Sequence, residues 1–433
     1  MMNKFILTIA LSLLALAISP AGVTGASPVD FNSMFADRTL RLDYIFSADS
    51  LGAHVVLGSA TTMPGWSGRT HNLDKLPYNG DGTITLTSAA TGDTLYRHSF
   101  SSLFNEWLST PEAKTTPKGF SNTFLVPQPK EKTDITITVT DQYHRPIASM
   151  SHLYDPADIL VRPLDNVEAL PHKVLHCGSA PNPINVAFLA EGYTEEQMDS
   201  FYVHAARGAE AILSYEPFKS MADRFCFIAV ASPSRDSGVS VPRLGDWKQT
   251  AFSSHFSTFY SDRYLTCPDV SSIHDALTNI PYEHVIILAN TPEYGGGGIY
   301  NSYTLTSALH STFRPVIVHE FGHSFGGLAD EYFYDGDVME DSYPVSVEPW
   351  NPNITTLVDF GSKWQNELAP GTPVPTSPDE ADKWPLGVYE GGGYSSKGVY
   401  RPADQCRMRN NTWPVFCPAC ESALKRLIDF YTE

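Results

Sequence analysis

The chain has 433 residues, 42% of them hydrophobic and 18% charged, an ordinary globular composition with length enough for two or three domains. Its 29 basic and 48 acidic residues give a formal charge of −19 at pH 7, which argues against nucleic acid or anionic membrane surfaces as partners.

The first stretch, "MMNKFILTIALSLLALAISPAGVTGA", has one lysine, an apolar run from Phe5 to Ile18 and then small residues. That is the build of a secretory signal peptide, assigned to residues 1–26, and the run is too short for a comfortable membrane span. The expected product is an exported protein, secreted, periplasmic or at the cell surface, with no membrane span in the mature chain. Export makes pairing of the six cysteines the expectation. Cys406, Cys417 and Cys420 crowd near the C-terminus, but "CPAC" lacks a full set of four ligands at finger-like spacing, so disulfides or free thiols are expected there rather than zinc.

Residues 27–160 carry strand signals. "RTLRLDYIF", "HVVLG", "GTITLTSAATGDTLYRHSF" and "DITITVTDQYHRPIASMSH" are β-branched and aromatic runs divided by turns such as Gly92-Asp93. They predict an antiparallel β-sandwich. "YDPADILVRPLDN", rich in proline and acids, marks the boundary, and residues 161–433 form the second domain. There "INVAFLAEGYTEEQMDSFYVHAARGAEAIL" predicts a buried strand through Leu189 and then a helix capped by Thr194 with Gln197 three residues on. "FCFIAVASP" and "HVIILAN" predict two more strands, so the fold class is α+β with an α/β second domain.

"RPVIVHEFGHSFGG" predicts a helix with Pro315 in its first turn. Positions four apart share a helix face, so His319 and His323 can turn both imidazoles to one ion, with Glu320 beside them to take a proton from water. A continued helix would carry Asp330 about 10 Å too far along its axis. The chain must therefore turn at Gly326-Gly327, after which Asp330 or Glu331 can close a site of three protein ligands. Asp330 is favoured by its place in the count, and Glu331 stays open as the alternative. The acids Asp335, Asp337, Glu340 and Asp341 read as a solvated loop rather than a calcium site.

"HEFGHSFGGLADEY", together with "NVAFLAEGYTEEQM", "SPSRDSGVSVP", "YGGGGIYNS", "EPWNPNIT", "GVYRPADQCRMR" and "FCPAC", resembles the IgA peptidase family of zinc metallopeptidases over most of residues 170 to 430. The sandwich is similar to the accessory domain of that family. The resemblance implies a zincin-like catalytic domain with endopeptidase activity, Zn2+ as cofactor on His319 and His323, and Glu320 as general base. Met408 in "CRMR" fits a metzincin-like Met-turn beneath the metal. Gly296, Gly297 and Gly298 fit a sheet edge along which an extended peptide can lie. Tyr400 and Tyr332 are candidate oxyanion donors. A protein or glycoprotein substrate follows, with immunoglobulin A as the family's founding one and mucins as the alternative. From another class, the rival is an adhesion protein whose zincin-like domain presents the sandwich without catalysis.

Overall fold

A computed structural model describes residues 29–334 and 342–433. The expected signal peptide and the acids Asp335, Asp337, Glu340 and Asp341 lie outside the described residues. Among the described residues no helix is long and apolar enough to cross a membrane.

After a short helix α1 (Phe31–Met34), the first domain contains β1 (Phe35–Asp49), β2 (Gly52–Pro64), β3 (Gly82–Ser88), β4 (Thr94–Phe100), β5 (Lys118–Pro129), β6 (Thr133–Thr140) and β7 (Pro146–Tyr154). They form two sheets, ordered β5-β1-β2-β8 and β4-β3-β6-β7, where β8 (Arg162–Pro163) is a short parallel addition to β2. All other pairings are antiparallel. Period-two patterning explains the packing: Leu40, Leu42, Tyr44 and Phe46 of β1 face inward against Ile84, Leu86, Ile135 and Ile137. β5 is absent from the sequence reading because Pro127 and Pro129 break its pattern; it is an edge strand bonded to β1 alone, where missing N–H groups are tolerated. The sandwich also runs past residue 160, since β8 still pairs with it.

The second domain is built on a six-stranded sheet. In chain order its strands are β9 (His172–Cys177), β10 (Ile184–Glu191), β11 (Phe225–Val230), β12 (His284–Ala289), β13 (Gly296–Ile299) and β14 (Tyr303–Ser307). Their spatial order is β13-β14-β12-β10-β11-β9, with β14, β12, β10 and β11 parallel and the two edges antiparallel. β11 and β12 are buried at every position, as strands covered on both faces must be. One face carries α3 (Met198–Leu213), α5 (Phe313–Ser324) and α6 (Pro418–Thr432). The other is covered by α4 (Val270–Ala276) and by loops. The predicted cap is present: Gln197 Oε1 accepts from the Thr194 N–H at 3.0 Å, ahead of α3. A disulfide joins Cys177 and Cys226 across β9 and β11. A late hairpin, β15 (Tyr389–Gly392) and β16 (Ser395–Arg401), completes the sheets.

The two domains share a wall. α2 (Leu103–Leu108), which follows β4, inserts Leu103 into the second domain's core. Arg41, buried on the outer face of β1, donates to Asp275 Oδ1 of α4 at 2.6 Å and to the Ser271 carbonyl at 3.3 Å.

Candidate metal centre

α5 supplies the first half of the site. Pro315 sits in its first turn, where its missing N–H breaks no helical bond. Four residues later His319 begins the pair expected from spacing, and His319 Nε2 and His323 Nε2 stand 3.0 Å apart. Edge strand β13 lies close against this helix. A Cβ on Gly298 would stand 2.2 Å from the Glu320 carbonyl oxygen and 2.8 Å from His323 Cβ, so only glycine fits. Tyr264 bridges to Gly296 and so covers part of that edge.

The second half arrives by a reversal. Gly327 takes a left-handed conformation at φ +61°, its N–H donating to the His323 carbonyl at 2.9 Å. The next residues are clamped by two asparagines from "EPWNPNIT" whose role no spacing rule revealed. Asn353 accepts from the Ala329 N–H at 2.7 Å and donates to the Ala329 carbonyl at 2.9 Å, and Asn351 donates to the Gly327 carbonyl at 2.9 Å. Held this way, Asp330 brings Oδ1 to 3.1 Å from His319 Nε2 and 3.3 Å from His323 Nε2. Its other oxygen accepts from Tyr394 Oη at 2.6 Å. Glu331 points the opposite way, bonding Asn353 and Cys420.

His319 Nδ1 lies 3.0 Å from the Arg407 carbonyl and His323 Nδ1 2.6 Å from the Leu328 carbonyl, so each ring must donate from Nδ1. With both rings neutral, the two Nε2 lone pairs face Asp330 Oδ1, which is buried with no hydrogen-bond donor among the described residues. Ligands on a tetrahedral ion at about 2.0–2.1 Å stand about 3.3 Å apart, close to the three separations here. The donor set fits a metal ion. The local field agrees. Burial raises the Asp330 carboxyl, but His323 and His319 outweigh it and hold it well below the usual carboxylate range. Burial lowers His323, yet Asp330 wins and pushes it up to about 9, and a field that draws a proton there draws a cation equally. Burial pushes the Glu320 carboxyl up, with His319 and His323 pulling back.

His319, Glu320, His323 and Asp330 all line one cleft of about 1470 Å³, with Gly296, Gly297 and Gly298 along its side. Asp81, Ser101, Glu106 and His144 of the sandwich line it too, so both domains form its walls. Met408 is fully buried against α5, with Sδ 2.8 Å from where a Cβ on Gly322 would stand. Tyr332 lines the cleft, whereas Tyr400 pairs its backbone with Thr355 and packs beside the core, away from it.

Residues 173–385 match the family model described as IgA Peptidase M64, and residues 30–150 match the model of the Peptidase M64 N-terminus. No curated protein matches the chain. Matched across both domains, with the match over residues 173–385 spanning the paired histidines and Asp330, the chain belongs to the IgA peptidase M64 family and is a peptidase.

Proposed function

We propose that the protein is an exported, zinc-dependent endopeptidase acting on extracellular proteins or glycoproteins. The observation that carries this reading is the triangle of His319 Nε2, His323 Nε2 and Asp330 Oδ1, three ligand atoms anchored from behind and turned to one point. Two imidazoles and one carboxylate favour zinc over calcium or magnesium, which prefer all-oxygen sites. Zinc, when bound, supplies a Lewis acid toward the scissile carbonyl and makes water acidic enough to deprotonate near neutral pH.

The chain's own residues do the rest. Glu320 takes a proton from the attacking water as its oxygen bonds to the carbonyl carbon; the C–N bond breaks and Glu320 delivers that proton to the leaving amine. A carboxyl raised by burial holds the proton between these two events more firmly than an exposed one. Gly296, Gly297 and Gly298 of β13 line the cleft beside Glu320, and a substrate backbone extended along that wall suits cleavage within a chain. Tyr332, on the cleft wall, is the better placed of the two tyrosines read from sequence to donate to the developing oxyanion. The Cys177–Cys226 disulfide supports an oxidising compartment.

The test is a cleavage assay on a peptide library that includes immunoglobulin A hinge and mucin sequences, read by mass spectrometry, with Glu320→Gln in parallel. Cuts by the wild type alone are expected, with kcat/KM of the variant lower by about 10²–10⁴-fold at unchanged zinc content. Near wild-type turnover by the zinc-loaded variant would remove Glu320 as the base.

A further inference from the structure

Behind the cleft, Glu331 enters a second cluster. Its side chain is fully buried; Oε1 accepts from Cys420 Sγ at 3.1 Å and from Asn353 Nδ2 at 3.0 Å, and Oε2 has no hydrogen-bond partner among the described residues. Cys406 and Cys417 close the group. One ligand atom from each of the four residues lies within 4.8 Å of the others, and all four residues are buried. Two of the cysteines, Cys417 and Cys420, sit at the N-cap and first turn of α6, where a two-residue spacer turns both thiols to one point.

The distances discriminate between a disulfide and an ion. Cys406 Sγ and Cys420 Sγ are 3.8 Å apart. A disulfide requires about 2.0 Å. Two thiolates each about 2.3 Å from a tetrahedral ion stand about 3.8 Å apart. Backbone N–H groups of Cys417 at 3.3 Å and Met408 at 3.5 Å point at Cys406 Sγ, as they do toward a charged sulfur. The sequence reading missed the fourth ligand because Glu331 is far upstream of the cysteines and does not obey finger spacing.

We propose that Glu331, Cys406, Cys417 and Cys420 hold a structural zinc ion, separate from the centre on His319 and independent of the peptidase reading. Four buried ligands leave no open position, the mark of a structural site. The ion ties together three pieces that shape the cleft: the segment carrying Asp330, the Cys406–Met408 turn whose Arg407 carbonyl anchors His319, and the start of α6.

The experiment measures zinc by mass spectrometry in the purified full chain and in the His319→Ala/His323→Ala variant, which leaves the cysteines untouched. Two equivalents in the wild type and one in the variant are expected. Cobalt exchanged into the variant should show a near-ultraviolet thiolate-to-cobalt charge-transfer band. After chelation in denaturant, Cys267, Cys406, Cys417 and Cys420 should all react as free thiols. Zinc absent from the variant overturns the proposal, and so does the loss of two reactive thiols, which reveals a disulfide instead. Cys420→Ser should lose the charge-transfer band, and if that variant does not fold the histidine variant still decides.

Discussion

His319 and His323 were legible because four residues is a helical interval and the chemistry needs nothing else local. The third member of the cluster was not. Asp330 and Glu331 are neighbours, and which one faces the histidines depends on the left-handed Gly327 and on Asn353 clamping Ala329, both properties of the folded chain. Tyr394 was invisible for the same reason, since it reaches Asp330 from the β15–β16 turn with no motif to announce it. Its hydroxyl holds the oxygen of Asp330 that does not face the histidines, so it orients the carboxylate from outside the triangle. Tyr394→Phe should therefore weaken zinc affinity by about 10–100-fold while leaving the fold intact. Competition with a chelator of known affinity checks this, and an unchanged zinc dissociation constant would show that Asn353 and the backbone alone position Asp330.

At the level of elements, pattern and period found the central strands and two of the three helices of the sheet face, α3 and α5, and missed pieces whose composition hides their geometry. β5 was masked by prolines that its edge position permits. β13 is almost all glycine and carries no strand period, so only the resemblance set Gly296, Gly297 and Gly298 at a sheet edge, where the structure has them, and these glycines answer to packing. A Cβ on Gly297 would meet the Tyr264 ring at 2.9 Å, and one on Gly298 would overlap the α5 backbone. The strand must sit this close for the cleft wall to pass beside Glu320. Gly298→Ala should force β13 off α5, with a loss of about 1–3 kcal/mol in stability from overpacking and a larger fall in activity than in stability. Urea unfolding alongside peptide turnover separates these, and a variant with wild-type values in both would mean that the edge strand is free to shift.

For the whole molecule, sequence separated two domains but said nothing of how they meet, because interdomain contacts follow no period. Arg41 carries much of the answer. On the inward-facing pattern of β1 it occupies the opposite face, and it is buried because α4 covers it. Its Nε donates to Asp43 Oδ1 at 3.0 Å, and Asp43 also accepts from Thr123 at 2.6 Å and Ser59 at 2.8 Å. Burial raises the Asp43 carboxyl, but these hydroxyls and Arg41 outweigh it, so the folded value lies below the ordinary 3.8. A depressed carboxyl stabilises the fold fully above that ordinary value, and the stabilisation is lost as pH falls through the lower folded value. Asp43→Asn keeps the shape and removes the charge. At neutral pH it should lower stability by about 1–2 kcal/mol, in the range of a hydrogen bond to a charged group with modest exposure. The difference in Tm between wild type and variant should then shrink as pH is taken below 3.8, because the wild type loses what the variant never had. A gap that stays constant across that range would mean that Asp43 is not charged against Arg41, and that Arg41 is held at the domain boundary by Asp275 and the Ser271 carbonyl without it.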